Sequence, residues 1–258
     1  MRGLLALACC FLVLAFQGPA PAQSPPSPFV DWAAVVVAGD TKGSQGGPTQ
    51  AFENARRDVA GVLVASGFRP EHVRSLSLAG GVPGPERTTA ANLARALDET
   101  AARARGGCLL YLTSHGSPQG VVFGDGPLLA PRVLDRMLEG ACGKRPTVVF
   151  VSACYSGVFI PALAAPNRMV LTAARPDRTS FGCGEDDRYP FFDTCILQSW
   201  PQSRDFLALG QAVRACVDRR EQALKLRPAS EPQIYAGPGI RPLLPLLPLA
   251  ATKVPAPG

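Results

Sequence analysis

The chain has 258 residues, a net charge of +6, eight cysteines and two histidines. The charge is modest and the arginines are spread through helical stretches, so they read as solvated faces and exclude a nucleic-acid patch. Two histidines, His72 and His115, exclude a zinc site built on several imidazoles. The absence of any C-x-x-C pair excludes a zinc ribbon or a thioredoxin-type site.

Arg2, the apolar run Leu4 to Phe16 and the small-x-small Ala20-Pro21-Ala22 read as a secretory signal over residues 1–22. The run is short for a bilayer span, so no stable membrane insertion is expected after cleavage. The product is expected to be exported, periplasmic or secreted. Residues 23–30 read as a Pro-rich mature N-terminus, 31–237 as the folded domain, and 238–258 as a Pro/Leu-rich tail without regular period. The excess of arginine over lysine and the abundant alanine suggest a bacterial gene of high GC content.

Trp32 to Ala38 is an apolar strand ending at Gly39-Asp40, followed by the Gly-rich stretch GDTKGSQGGPT. Ala51 to Ser66 has helical period, with Phe52, Ala55, Val59, Val62 and Leu63 on one face. Val73 to Ala79 is a second strand. Thr88 or Thr89 caps a helix running to Ala104. Cys108 to Ser114 is a third strand, and Val121 to Phe123 with Leu128-Leu129 a short excursion. Pro131 to Leu138 is a short helix. Thr147 to Ala153 and Arg168 to Ala174 are further strands, Ser203 to Lys225 a long helix, and Gln233 to Ala236 a last short strand. Alternation of this kind predicts a largely parallel sheet with helices on both faces.

Six cysteines lie beyond the signal: Cys108, Cys142, Cys154, Cys183, Cys195 and Cys216. Export permits disulfides. With one cysteine kept free, five are left, so a second free thiol must remain. Cys108 begins one strand and Cys142 precedes the next, so parallel neighbouring strands would bring them together at the edge opposite the site. Cys183 with Cys195 is a competing pair. His72, in FRPEHVRS, reads as a solvated loop residue.

Two strand-length apolar runs end on reactive side chains. LLYLTSHG delivers His115 followed by Gly116, and VVFVSACYSG delivers Cys154. Open α/β sheets carry their sites at the carboxyl ends of parallel strands. An imidazole beside a thiol there is a cysteine nucleophile with its general base.

Four blocks in this order resemble the legumain-type (haemoglobinase) cysteine peptidases of the caspase-like clan, most of all their bacterial branch. They are WAAVVVAG, YLTSHGSPQGVVF, VVFVSACYSG and TAARPDRTSFGCGEDDRYPFFD, with PQIYAG similar to the closing strand. The resemblance implies a caspase-like three-layer α/β sandwich with a mainly parallel six-stranded sheet. It implies Cys154 as nucleophile, His115 as base, the N–H groups of Gly116 and Cys154 as oxyanion donors, and a peptide or protein substrate. No metal and no organic cofactor is implied. Asp193 corresponds to the base of the specificity pocket and is otherwise a helix N-cap. Thr179 and Ser180 correspond to pocket walls. Asp40 either faces the site or makes an Asx turn. Glu185, Asp186 and Asp187 read as a solvated acidic run, and Cys183 as structural.

Gly46-Gly47-Pro48-Thr49 stands where plant and animal relatives carry a histidine-orienting Asn and an Arg-His pair, and Ser152 stands in place of an acidic residue. The third partner of His115 is therefore unassigned. A pocket with carboxylates and no fixed cation is expected to favour Arg, Lys or Asn over Asp at P1, since a second carboxylate would be buried unpaired. The leading expectation is an exported cysteine endopeptidase. A transamidase or peptide ligase sharing the thioester intermediate, and an inactive caspase-like binding module, are the alternatives.

Overall fold

The structure, a computed structural model, describes residues 27–79 and 84–249, so the expected signal segment lies outside the described residues. Among the strands buried along their whole length are three apolar runs: β1 Trp32–Ala38, β4 Gly107–Thr113 and β7 Thr147–Ser152. Uniform burial follows when both faces of a parallel sheet are covered. The remaining strands are β2 Val73–Ser77, β3 Glu86–Arg87, β8 Arg168–Thr172 and β9 Gln233–Ala236; β5 Gly116–Ser117 and β6 Gly120–Val121 form a separate hairpin. Helices are α1 Ala51–Ala65, α2 Ala90–Arg103, α3 Pro131–Cys142, α4 Phe159–Leu163, α5 Phe191–Ser199 and α6 Phe206–Ala223.

The main sheet has seven strands in the order β3-β2-β1-β4-β7-β8-β9. All neighbours are parallel except β9, which returns antiparallel to β8. The sequence predicts six of these strands. The seventh, β3, is two polar residues paired to Leu76 and Ser77, too short to show any alternation. Successive side chains alternate between two cores. Ala34, Val36, Tyr111 and Phe150 face α1, α5 and α6, while Val35, Val37, Leu110 and Val151 face α2, α3 and α4. Ile240, Leu244, Leu247 and Leu249, beyond the last strand, pack into the first core.

Local chemistry sets the helix ends. The Thr89 side chain accepts from Asn92 N–H at the start of α2, and Asp205 from Ala208 N–H at the start of α6. Thr88 instead donates to the Ala38 carbonyl at 2.7 Å, pinning the approach to α2 against the end of β1.

Two disulfides close the framework. Cys108 bonds Cys142, Cα atoms 6.2 Å apart, at the amino edge of the sheet. Cys195 on α5 bonds Cys216 on α6, which replaces the predicted Cys183–Cys195 pair. Among the described residues Cys154 and Cys183 are the free thiols. His72 is also not the expected solvated residue. It is 6% exposed, in a 3-10 turn packed against β1 and α2. Among the described residues no helix is long and apolar enough to cross a membrane.

The Cys108–Cys142 bridge closes a loop of sequence separation 34. Removing it with Cys108→Ser/Cys142→Ser should cost roughly 3 kcal/mol through the unfolded chain. At this size that lowers Tm by on the order of 10 °C in calorimetry. An unchanged Tm would show that the bridge contributes nothing.

Candidate active site

Strand order reverses between β1 and β4: the chain leaves β1 toward β2 and re-enters beside β1 as β4. In open α/β sheets the crevice at such a point, outside the carboxyl ends, is the binding position. The loops after β1, β4 and β7 meet there. In the β4–β7 ladder Thr113 is opposite Ser152, so His115 and Cys154 each lie two residues past a paired position. Ser114 N–H still donates to the Ser152 carbonyl at 3.0 Å, and Gly39 N–H to the Thr113 carbonyl at 2.9 Å. The strand ends are thus tied to one another right up to the candidate residues.

Gly116 is required by this closeness. A Cβ at 116 would collide with the Cys154 carbonyl and with Ala153. Next to Gly116, the Val122 N–H donates to the His115 carbonyl at 2.9 Å, and Gly116 itself is opposite Val121. By antiparallel alternation the Gly116 position is the non-hydrogen-bonded one, so its N–H points away from β6. Tyr155, immediately after Cys154, has φ 58°, an uncommon conformation for a residue with a side chain. It is held by its N–H to the Arg178 carbonyl at 2.7 Å.

The Cys154 sulfur is half-buried and its partners are all on Ser180. The Ser180 N–H donates to Sγ at 3.2 Å, and the Ser180 carbonyl and hydroxyl lie 3.6 Å away. The His115 ring stands edge-on to Phe52, centroids 5.1 Å apart, and Nε2 is 2.8 Å from the Lys42 carbonyl. A carbonyl only accepts, so Nε2 carries the proton, and in the neutral ring Nδ1 is the free base. The missing third partner of the histidine is therefore a backbone atom. Asp40 builds the turn that presents it. Its Oδ1 accepts from Thr41 and Lys42 N–H at 2.7 and 3.0 Å, which is the Asx-turn reading and turns the carboxylate back on its own loop.

Asp193 is neither an N-cap nor open to the crevice. Pro190 is the N-cap of α5, and Asp193, in its first turn, is 0% exposed. Tyr111 donates to Oδ1 at 2.5 Å and Thr113 to Oδ2 at 2.7 Å. Burial pushes the carboxyl up to about 6 against the opposing hydrogen bonds from Tyr111, Thr113 and Ser152. Burial, with the nearby Asp193, also raises Tyr111 well above the ordinary phenol range. Asp193 thus ties α5 to the ends of β4 and β7 beneath the site. Thr179 and Ser180, both half-exposed, lie in the loop after β8, with Ser180 against the thiol. Cys183 follows in the same loop; burial first, then the Cys154 charge, raises its thiol to about 11. Of the acidic run, only Asp186 stays exposed. Glu185 and Asp187 accept backbone N–H bonds. Among the described residues no group of His, Cys, Asp and Glu is arranged to hold a metal ion.

The class is set first by the fold, a caspase-like α/β sandwich. The crystal structure of caspase-1 from Spodoptera frugiperda superposes with a TM-score of 0.58 at 15% identity, over 85% of this chain and 93% of that one. Residues 93–213, which include His115, Cys154 and Asp193, match the Peptidase C13 family. The match supports the legumain family and, at family level, a cysteine-type peptidase. No curated protein sequence matches the chain.

Asp193 has a signature in stability. Its folded-state value lies above the ordinary carboxyl value, so its contribution is full below about pH 4 and is lost as pH rises to about 6. The Tm difference between wild type and Asp193→Asn should shrink over that window and stay flat above about pH 7. A difference that grows with pH would mean the carboxyl is stabilised as an anion instead.

Proposed function

We propose that the chain is an exported cysteine endopeptidase in which Cys154 attacks the peptide carbonyl and His115 Nδ1 is the general base. The observation that carries this reading is the approach of the His115-Gly116 backbone to Cys154, with Nε2 committed to the Lys42 carbonyl and Nδ1 left free. Nδ1 takes the thiol proton as sulfur bonds to carbon. The oxygen that gains charge is met by the N–H groups of Cys154 and Gly116. Collapse expels the amine, which takes the proton from His115, and leaves a thioester on Cys154. Water, deprotonated by the same nitrogen, releases the acid. Thr179 and Ser180 form the wall along which the substrate lies. The residues that do this need no metal or organic cofactor. The disulfides Cys108–Cys142 and Cys195–Cys216 support an oxidising compartment, as the expected signal does.

The test is labelling with an acyl-type thiol probe at neutral pH, followed by turnover of a peptide library. Cys154 should label first, because Cys183 is held near 11 and is almost wholly protonated there. Cys154→Ala should abolish cleavage, and His115→Ala should lower kcat by about 10²–10⁴-fold. Equal labelling of Cys154→Ala and wild type would overturn the nucleophile assignment. A labelled protein that cleaves no library peptide would favour a binding module.

We further propose that Asp is a poor P1 residue, with Arg, Lys or Asn preferred. The support is the Gly46-Gly47-Pro48-Thr49 stretch, which brings no cation, and the half-buried Glu185 carboxylate beside it. Asp193 enters only as sealed packing, since Tyr111 and Thr113 occupy both its oxygens. In matched peptides kcat/KM should rank Asp last; Asp ranking first would refute the reading.

A further inference from the structure

The carbonyl that fixes His115 belongs to a segment with little to hold it. Residues 41–49 fold into a small hairpin. Lys42 bridges Pro48, Gly43 N–H donates to the Gly47 carbonyl at 2.7 Å, and Thr49 N–H to the Thr41 carbonyl at 2.9 Å. Its tip, Gly46, has φ 90°, and Ser44, Gln45, Gly46 and Pro48 are exposed. It contains no apolar anchor, and glycines give it a large entropy to lose on ordering. A short two-stranded hairpin of this kind has marginal stability by itself.

What orders it comes from 140 residues away in sequence. Glu185 Oε1 accepts from Gln45 N–H at 3.0 Å and from Gly47 N–H at 3.1 Å. The same seam carries Ser44 N–H to the Cys183 carbonyl at 2.9 Å and the Thr49 hydroxyl to the Gly184 carbonyl at 3.0 Å. Of these bonds only those to Glu185 are accepted by a side chain, whose single oxygen collects two N–H groups at the hairpin tip. The fit is close. A Cβ at 43 would lie 2.7 Å from the Glu185 carboxyl carbon and 3.0 Å from its backbone nitrogen, and one at 47 would lie 2.9 Å from Glu185 Cγ. Asp187 accepts from Gly184 N–H at 2.8 Å and shapes the turn from which Glu185 reaches.

We propose that Glu185 is a positioning residue: its carboxylate latches the 41–49 hairpin to the loop after β8 and so fixes the Lys42 carbonyl that holds His115 Nε2–H. The inference rests on the reading of His115 as base. It ties the base on one side of the crevice to the loop that carries Ser180 and touches the nucleophile. Reach matters more than charge in this role, because the two N–H groups need an oxygen at the end of a four-atom arm.

Three variants of the full chain separate the terms. Glu185→Gln keeps the arm and an acceptor oxygen without the charge. Glu185→Asp keeps the charge on a shorter arm. Glu185→Ala loses both. Glu185→Ala and Glu185→Asp should lower kcat by about 10–100-fold, the scale set by a misplacement of about 1 Å. KM should change much less, and Glu185→Gln should recover most of kcat. In proton–nitrogen NMR the His115 Nε2–H signal, assigned by its loss in His115→Ala, should persist in wild type and Glu185→Gln. It should broaden or vanish in the other two. The NMR arm needs no turnover, so it reports the latch even if Cys154 proves not to be a nucleophile. Loss of kcat with an unchanged His115 signal, a change confined to KM, or Glu185→Asp matching wild type in both readouts would each overturn the proposal.

Discussion

The parallel ladder between β4 and β7 is the constraint on which the site rests. Thr113 opposite Ser152 is one register among several that backbone bonding alone would accept. It is selected by side chains. A slip of one residue would turn Tyr111 and Phe150 out of the core shared with α5 and α6, and Leu110 and Val151 out of the core shared with α2 and α3. Both faces are buried, so neither exchange has a solvated outlet. The ladder therefore delivers His115 and Cys154 to the same height above the sheet edge. Small residues then let the chains come together: Gly39 beside Ser114, and Gly116 beside Ala153 and Cys154.

The strand ends are also held from below. Asp193 places a carboxyl in a dry position, where it is tolerated because Tyr111 and Thr113 donate to it, with the Ser152 side chain nearby. Removing any one donor would leave a buried acceptor short of a partner, which typically costs about 1–3 kcal/mol. The cluster fixes α5 against β4 and β7, and the Cys195–Cys216 bridge fixes α5 against α6. The floor of the crevice is thus a bonded block made from two strand ends and two helices. What moves relative to it must be loop.

Sequence exposed the parts of this site whose chemistry resides in side-chain type. His115 and Cys154 stand out because each ends an apolar run and histidine is scarce. The Cys108–Cys142 pair follows from strand adjacency. The third partner of His115 was invisible because it is a carbonyl: Lys42 offers it through its backbone, and any residue type could. Glu185 looked like one of three solvated acids, since only the folded chain brings it to Gln45 and Gly47. Asp193 was legible as important and misleading as to direction, because a carboxylate near a helix start has the same pattern whether it caps the helix or points at a strand. His72 was misread for a similar reason, its polar neighbours hiding a turn packed on β1 and α2. Cys195–Cys216 depends on α5 crossing α6, a packing detail with no signature in spacing.

The two groups proposed to react, His115 and Cys154, are restrained differently. The imidazole is held through a 2.8 Å N–H···O bond and an edge contact with Phe52. The thiol is held by Ser180 alone, through sulfur contacts of 3.2–3.6 Å. Hydrogen bonds to thiol sulfur are weak beside the amide-type bond on the imidazole. No hydrogen bond joins His115 to Cys154 in this arrangement among the described residues. In the proposed mechanism Nδ1 is already free, so a proton transfer between the two would disturb only the weaker contacts, those of the thiol. The thiol, the more weakly held of the two, would in that mechanism rotate from Ser180 toward Nδ1 while the imidazole stays. This division suits the chemistry. In the proposed mechanism the base would serve twice, first for the thiol and later for water, with one orientation for both. The sulfur would bond once to carbon and then be held by the acyl group itself. A rigid base and a lightly held nucleophile also assign separate roles to the loops around the crevice. In the proposed mechanism those after β1 and β4 would set the geometry of the base, and the loop after β8 would accompany the sulfur and the substrate.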